Sequence, residues 1–208
     1  MNTRNHTSDE WVLVRLDSGT TPQKVYNVLR MLYAKQDLLA IMTGSHELQI
    51  DEELVTLLKE MKPDSIEKIA ALVEEETRLG FVKGLQVTPQ AILVRLGRDL
   101  DADGSRRIRE QLILKSAKFA LGTRSVTTKR CTPTHDEEKY YASLWVRTIG
   151  MTGDRFAKHR SVLLGHLGGW GAFKSKEQAE GFAEQRKLRK HENTFGKDYE
   201  DWSELPNV

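Results

Sequence analysis

Start and stop signals cut the first half of this chain into short amphipathic pieces, and that punctuation limits the fold more than any other feature. Thr21 followed by Pro22 reads as an N-cap and a first helical turn, and Val25, Val28, Leu29 and Leu32 then share one helical face. Residues 38–42 are an apolar run compatible with helix or strand, closed by Thr43-Gly44-Ser45. Residues 52–61 predict a helix with Leu54, Leu57, Leu58 and Met61 on one side and Lys62-Pro63 as its stop. Asp64 with Glu67 forms a capping pair for a further helix through Ile66, Ile69, Ala70 and Val73, ending near Gly80. Thr88-Pro89 predicts a fourth helix with Ile92, Leu93 and Leu96 inward. Ahead of all of these, residues 11–16 predict a strand.

Past Gly104 the composition changes. Residues 105–121 read as a basic amphipathic helix, with Ile108, Leu112 and Phe119 inward and Arg106, Arg107, Arg109, Lys115 and Lys118 outward. Residues 122–138 are polar and Thr-rich, a loop or linker. Aromatic and β-branched residues then predict strands over 140–149, 156–164 and 170–173, after which Ser175 caps a last helix to about Lys190. The end of the chain is acidic and aromatic.

Charge follows the same division. Residues 1–104 hold 12 Lys/Arg and 17 Asp/Glu, a net of −5, whereas residues 105–208 hold 20 and 13, a net of +7. The overall +2 therefore hides an acidic half joined to a basic one, a pattern that points to a polyanionic partner, above all nucleic acid. Within residues 139–190 the cations Arg147, Arg155, Lys158, Arg160, Lys174 and Lys176 are interleaved with Trp145, Trp170 and other aromatics. Cations neutralise phosphates and exposed rings stack on bases, so this block is the expected nucleic-acid surface. The alternative is a core of rings under a solvated basic face. Arg106, Arg107 and Arg109 open the basic helix after a glycine turn, the place from which a DNA-reading helix reaches base edges. Packing inside the domain with a solvated face is the competing reading.

Asp99-Leu100-Asp101-Ala102-Asp103-Gly104, with Glu110 six residues on, fits the spacing of a calcium-binding loop. Alternate carboxylates would converge on Ca²⁺ or Mg²⁺ while the glycine permits the turn. Three nearby arginines oppose that, and the simpler role is to cap the basic helix. Cys131, His135, His159 and His166 fit no zinc spacing, and no Gly-rich phosphate loop or nucleophile elbow is present. The single cysteine excludes an intramolecular disulfide. Residues 1–10 are polar, and no stretch has the length of apolar sequence needed to span a bilayer, so a cytoplasmic protein without membrane contact is expected.

The string Leu167-Gly168, followed by Gly171-Ala172-Phe173-Lys174-Ser175-Lys176-Glu177-Gln178-Ala179, resembles the end of the three-stranded-sheet-plus-helix DNA-binding modules of apetala-type factors and phage-integrase arm domains. In those modules a Leu-Gly turn leads to an aromatic residue and a helix. The resemblance covers about 161–187 and implies a DNA-reading sheet; the extra Gly169-Trp170 departs from the pattern. The same string is also similar to peptidoglycan-binding SPOR repeats.

The expected fold class is α+β, with a helical acidic part over 1–121, a linker over 122–138, a basic antiparallel sheet plus helix over 139–192, and an acidic aromatic tail over 193–208. The expected function is non-enzymatic nucleic-acid binding, of DNA or RNA, in replication or transcriptional control. A protein partner would meet the acidic helices or the tail. Two alternatives stand beside it: a metal-dependent enzyme acting on nucleic acid through Asp99, Asp101, Asp103 and Glu110, and a protein-interaction adaptor or inhibitor.

Overall fold

A computed structural model describes residues 10–97 and 104–198, with residues 190–198 as backbone. The protein is α+β, and its elements are β1 (Trp11–Arg15), α1 (Pro22–Thr43), β2 (Gln49–Ile50), α2 (Glu52–Met61), α3 (Ile66–Leu79), β3 (Val82–Lys83), β4 (Leu85–Thr88), β5 (Ala91–Arg95), α4 (Arg106–Gly122), α5 (Glu138–Thr148), α6 (Ala157–Leu164) and α7 (Lys176–Asp198).

Helix α1 is the organising element. Thr21 Oγ1 accepts from the Lys24 N–H, Pro22 stands in the first turn, and Gly44 closes the helix in the left-handed region. Buried side chains lie around most of its circumference, including Val25, Leu29, Met31, Leu32, Leu38 and Met42, as a helix enclosed by its neighbours requires. Helices α2, α3, α4 and α5 all pack against it. Its three buried polar side chains all find partners, Thr43 Oγ1 donating to the Leu39 carbonyl at 2.7 Å. Gln36 pairs with both backbone groups of Ile50, at 2.8 and 2.7 Å, and Asn27 donates to the Thr123 carbonyl at 2.7 Å.

The three-stranded antiparallel sheet has the order β1-β5-β4, with Val12 opposite Val94 and Val14 opposite Ile92. Thr88-Pro89 does not open a helix. Residues 85–95 form a hairpin in which Thr88 faces Ala91 across the Pro89-Gln90 turn, and Thr88 Oγ1 accepts from the Gln90 and Ala91 N–H groups. Ile92 and Val94 are β-branched and buried, and Val87 lies within the same core, which favours a half-buried strand over a helix. Strands β2 and β3 form a second small sheet, Gln49 against Lys83. At the β3–β4 junction only glycine fits: Gly84 has φ 65°, and a Cβ there would lie 2.2 Å from the Glu47 carbonyl oxygen.

The sheet therefore lies in the acidic half, and the expected C-terminal sheet is a correction. Residues 139–173 contain no strand; α5 and α6 occupy the two longer segments, and residues 170–173 have no regular structure. The β-rich appearance of 140–149 yields to packing. Ala142, Trp145, Val146 and Ile149 recur at helical spacing and are all buried. Residues 123–134 form no regular element but are not a free linker: they run as a strap along α1, with the Cys131 N–H donating to the Ala34 carbonyl at 2.9 Å and Arg130 chelating Asp37. One hydrophobic cluster runs from Val12 to Leu167, and it includes residues of both halves. Among the described residues no helix is long and apolar enough to cross a membrane.

Candidate nucleic-acid interface

Helix α4 turns Ile108, Leu112, Ile113 and Ala117 into the core and leaves Arg107, Gln111, Leu114 and Lys118 exposed. These four lie at i, i+4, i+7 and i+11, a single stripe along the helix. Lys115 is a near neighbour of Gln111 and Lys118 on the same surface. It reaches the turn just before α6, where its Nζ lies 5.3 Å from the centre of the Phe156 ring.

Phe156 gathers the local charge. Arg155 stacks over the same ring at 4.9 Å, and the His159 ring meets its edge at 5.3 Å between centres. Phe156 is buried while Arg155 is exposed, so the ring holds that cation from beneath, and Lys158 is exposed nearby in the chain. Arg160 braces the turn that presents them, donating through Nη1 to the Met151 and Gly153 carbonyls at 3.2 and 2.9 Å. Asp154 is the single carboxylate between residues 149 and 165. Arg107, Lys115, Lys118, Arg155 and Lys158 enter no ion pair with the described residues.

The other expected site residues are used differently. Arg106 is not outward: it is 9% exposed, with Nε 2.9 Å from Glu110 Oε1 and Nη1 3.3 Å from the Gly97 carbonyl, so it ties α4 to the end of β5. Arg109 is half-buried on the same helix. Arg147 is exposed but bends back along α5 to the Ser143 carbonyl. Lys174 pairs with Glu137 at 3.2 Å and lies over Tyr141, and Lys176 pairs with Glu180 at 3.6 Å. Glu137 is itself held below the ordinary carboxylate range, first by the Thr134 N–H and then by Lys174. The Glu137 partnership in turn holds Lys174 above its ordinary value.

The aromatics divide too. Trp145 is 7% exposed, donates Nε1–H to Ser116 Oγ at 3.1 Å and meets Phe119 edge to face at 5.7 Å. It is a core residue with no face for a base. Trp170 is 46% exposed, at a cleft whose walls include Asp136, Glu137 and Glu177 beside Lys174 and Lys176, so its cations face carboxylates within the same cleft.

The expected metal loop is only partly placed. Asp99, Asp101 and Asp103 lie outside the described residues, while Glu110 is engaged by Arg106. No group of three or more His, Cys, Asp or Glu is arranged to hold a metal among the described residues. His159 lies on Phe156, and His166 Nε2 sits 2.9 Å from the Ile41 carbonyl. The strands that the resemblance to sheet-based DNA-binding modules implies over 161–173 are not formed; Ser175 does accept from the Gln178 N–H at the start of α7.

Phe156 falls at the start of the strand expected over 156–164, and Lys115 and Lys118 are outward cations of the basic helix without an expected site role. The available signal was Lys115 and Lys118 on the polar side of α4, but the ring that joins Lys115 to the turn before α6 comes from tertiary packing. Compared with known protein families, curated proteins and solved structures, the chain matches none.

Proposed function

We propose that this protein binds nucleic acid through the α4–α6 face, as a binding protein rather than a catalyst. The observation that carries this reading is that Arg107, Lys115 and Lys118 on α4, and Arg155 and Lys158 on α6 and the turn before it, pair with no carboxylate among the described residues. Surface cations, two of them over the Phe156 ring, are suited to phosphate oxygens, and neutralising a phosphate strand releases its counterions. The rings at this face are buried, so bases find no stacking platform here. Contact is then with the backbone, which positions a strand without reading its sequence. The partner class is duplex nucleic acid, bound with little sequence preference. Fluorescence anisotropy with a labelled DNA duplex at low salt tests this reading: saturable binding that weakens steeply with salt is expected, and no affinity at low salt overturns it.

A further inference from the structure

The acidic half contains a concentration of positive charge that the proposed interface does not use. A cavity of about 450 Å³ lies between α1, the end of α2 and the start of α3, and its lining includes Tyr26, Arg30, Lys59 and Lys62 with Pro22 and Pro63 as apolar walls over the buried Leu58 and Ile69. Among the described residues no carboxylate lines it. None of the three cations enters an ion pair with a described residue.

Lys59 alone has a plain structural role, because a cation in the last turn of α2 complements the helix dipole. The other two do not reduce to that. Arg30 sits in the middle of α1, one turn after Tyr26, with its guanidinium 5.3 Å from the Tyr26 ring centre. Its Nε is buried without any hydrogen-bond partner, a donor that a ligand acceptor would satisfy. Lys62 caps α2 with φ 44°, the one positive φ among described residues other than glycine. Glycine or asparagine ordinarily fills such a cap, so a lysine there retains a side chain at the expense of backbone strain. Burial holds the Tyr26 hydroxyl above its ordinary value, with Arg30 opposing, and it remains a neutral donor at physiological pH.

We infer that this cavity binds a small phosphate monoester carrying an apolar or planar body, with Arg30, Lys59 and Lys62 on the phosphate and the half-buried Pro22, Tyr26 and Pro63 against the body. The volume falls within the range of small-ligand pockets. The site shares no residue with the α4–α6 face, so each proposal can fail without the other.

Isothermal titration of the full chain with AMP tests the inference, with inorganic phosphate and adenosine as probes that each lack half of the ligand. AMP is expected to bind one to one with Kd below about 1 mM, and more tightly than either half. Arg30→Gln should weaken it about tenfold or more. Lys62→Gly should weaken it severalfold while leaving Tm unchanged or higher, which separates lost binding from lost folding. Three results would overturn the inference: no saturable AMP binding, phosphate alone binding as tightly as AMP, or AMP binding that survives both variants.

Discussion

Around Phe156, Lys115 and Arg155 meet a ring and, among the described residues, no carboxylate; around the start of α7, Lys174 and Lys176 each meet a glutamate. The two groups carry the same charge and lie on the same basic half of the chain. They differ in what surrounds them. An ion-paired surface lysine has its field largely cancelled and must give up a partner before it can bind phosphate. A cation resting on a ring retains its donors and its full charge. Availability of charge, rather than its amount, separates the two regions.

The comparison can be broken most directly by removing the first group. A triple Lys115→Gln, Arg155→Gln, Lys158→Gln variant should lose about a hundredfold in affinity for a DNA duplex at low salt, at about 1 kcal/mol for each contact removed. A circular dichroism melt close to that of the unaltered protein would confirm that folding is retained. Next in size is Phe156→Leu, which retains apolar volume and removes the ring from beneath two cations. Each cation–π contact contributes about 0.5–1 kcal/mol at a surface, so anisotropy should report affinity lower by severalfold.

Glu76 sharpens the contrast from the other extreme, as a charge unpaired in the interior. It is 4% exposed and its Oε2 has no hydrogen-bond partner. Desolvation first, then the neighbouring Glu53, Glu75 and Asp51, hold its carboxyl above the usual 4.5. A group whose folded value is raised binds its proton more tightly in the native state, so stability from it is present below about pH 4.5 and is lost as pH rises through the folded value. Glu76→Gln should therefore raise Tm at neutral pH, and thermal melts should show that gain vanish below the ordinary carboxylate range. The smallest effect belongs to the paired group. Lys174→Gln with Lys176→Gln should change duplex affinity by no more than about twofold, and a larger loss would erase the distinction between the two regions.

The sequence signals that proved reliable are those whose physics is local. Thr21-Pro22, the span of α2 with its Lys62-Pro63 stop, and Gly80 at the end of α3 all lie where capping chemistry places them, although Ser65 rather than Asp64 is the α3 cap. The errors arose where one local pattern serves two structures. Thr-Pro opens helix α1 at residue 21 and turns a hairpin at residue 88, and only pairing with β1 decides the second case. In α5, Tyr140, Tyr141, Val146 and Thr148 favour a strand by type, while the helical spacing of Ala142, Trp145, Val146 and Ile149 carried the correct answer. For the site, the positive charge was legible and its pairing was not. Glu137 finds Lys174, and Lys115 finds Phe156, through contacts between elements distant in the chain.

The central claim, that the unpaired α4–α6 cations form the phosphate-docking face, is tested most directly by the salt dependence of duplex binding in the unaltered protein and in the Lys115, Arg155, Lys158 triple variant, measured from about 50 to about 200 mM salt. The account predicts a plot of log affinity against log salt whose slope is shallower in the variant by about three units, one for each phosphate contact removed. Parallel lines for the two proteins would contradict it.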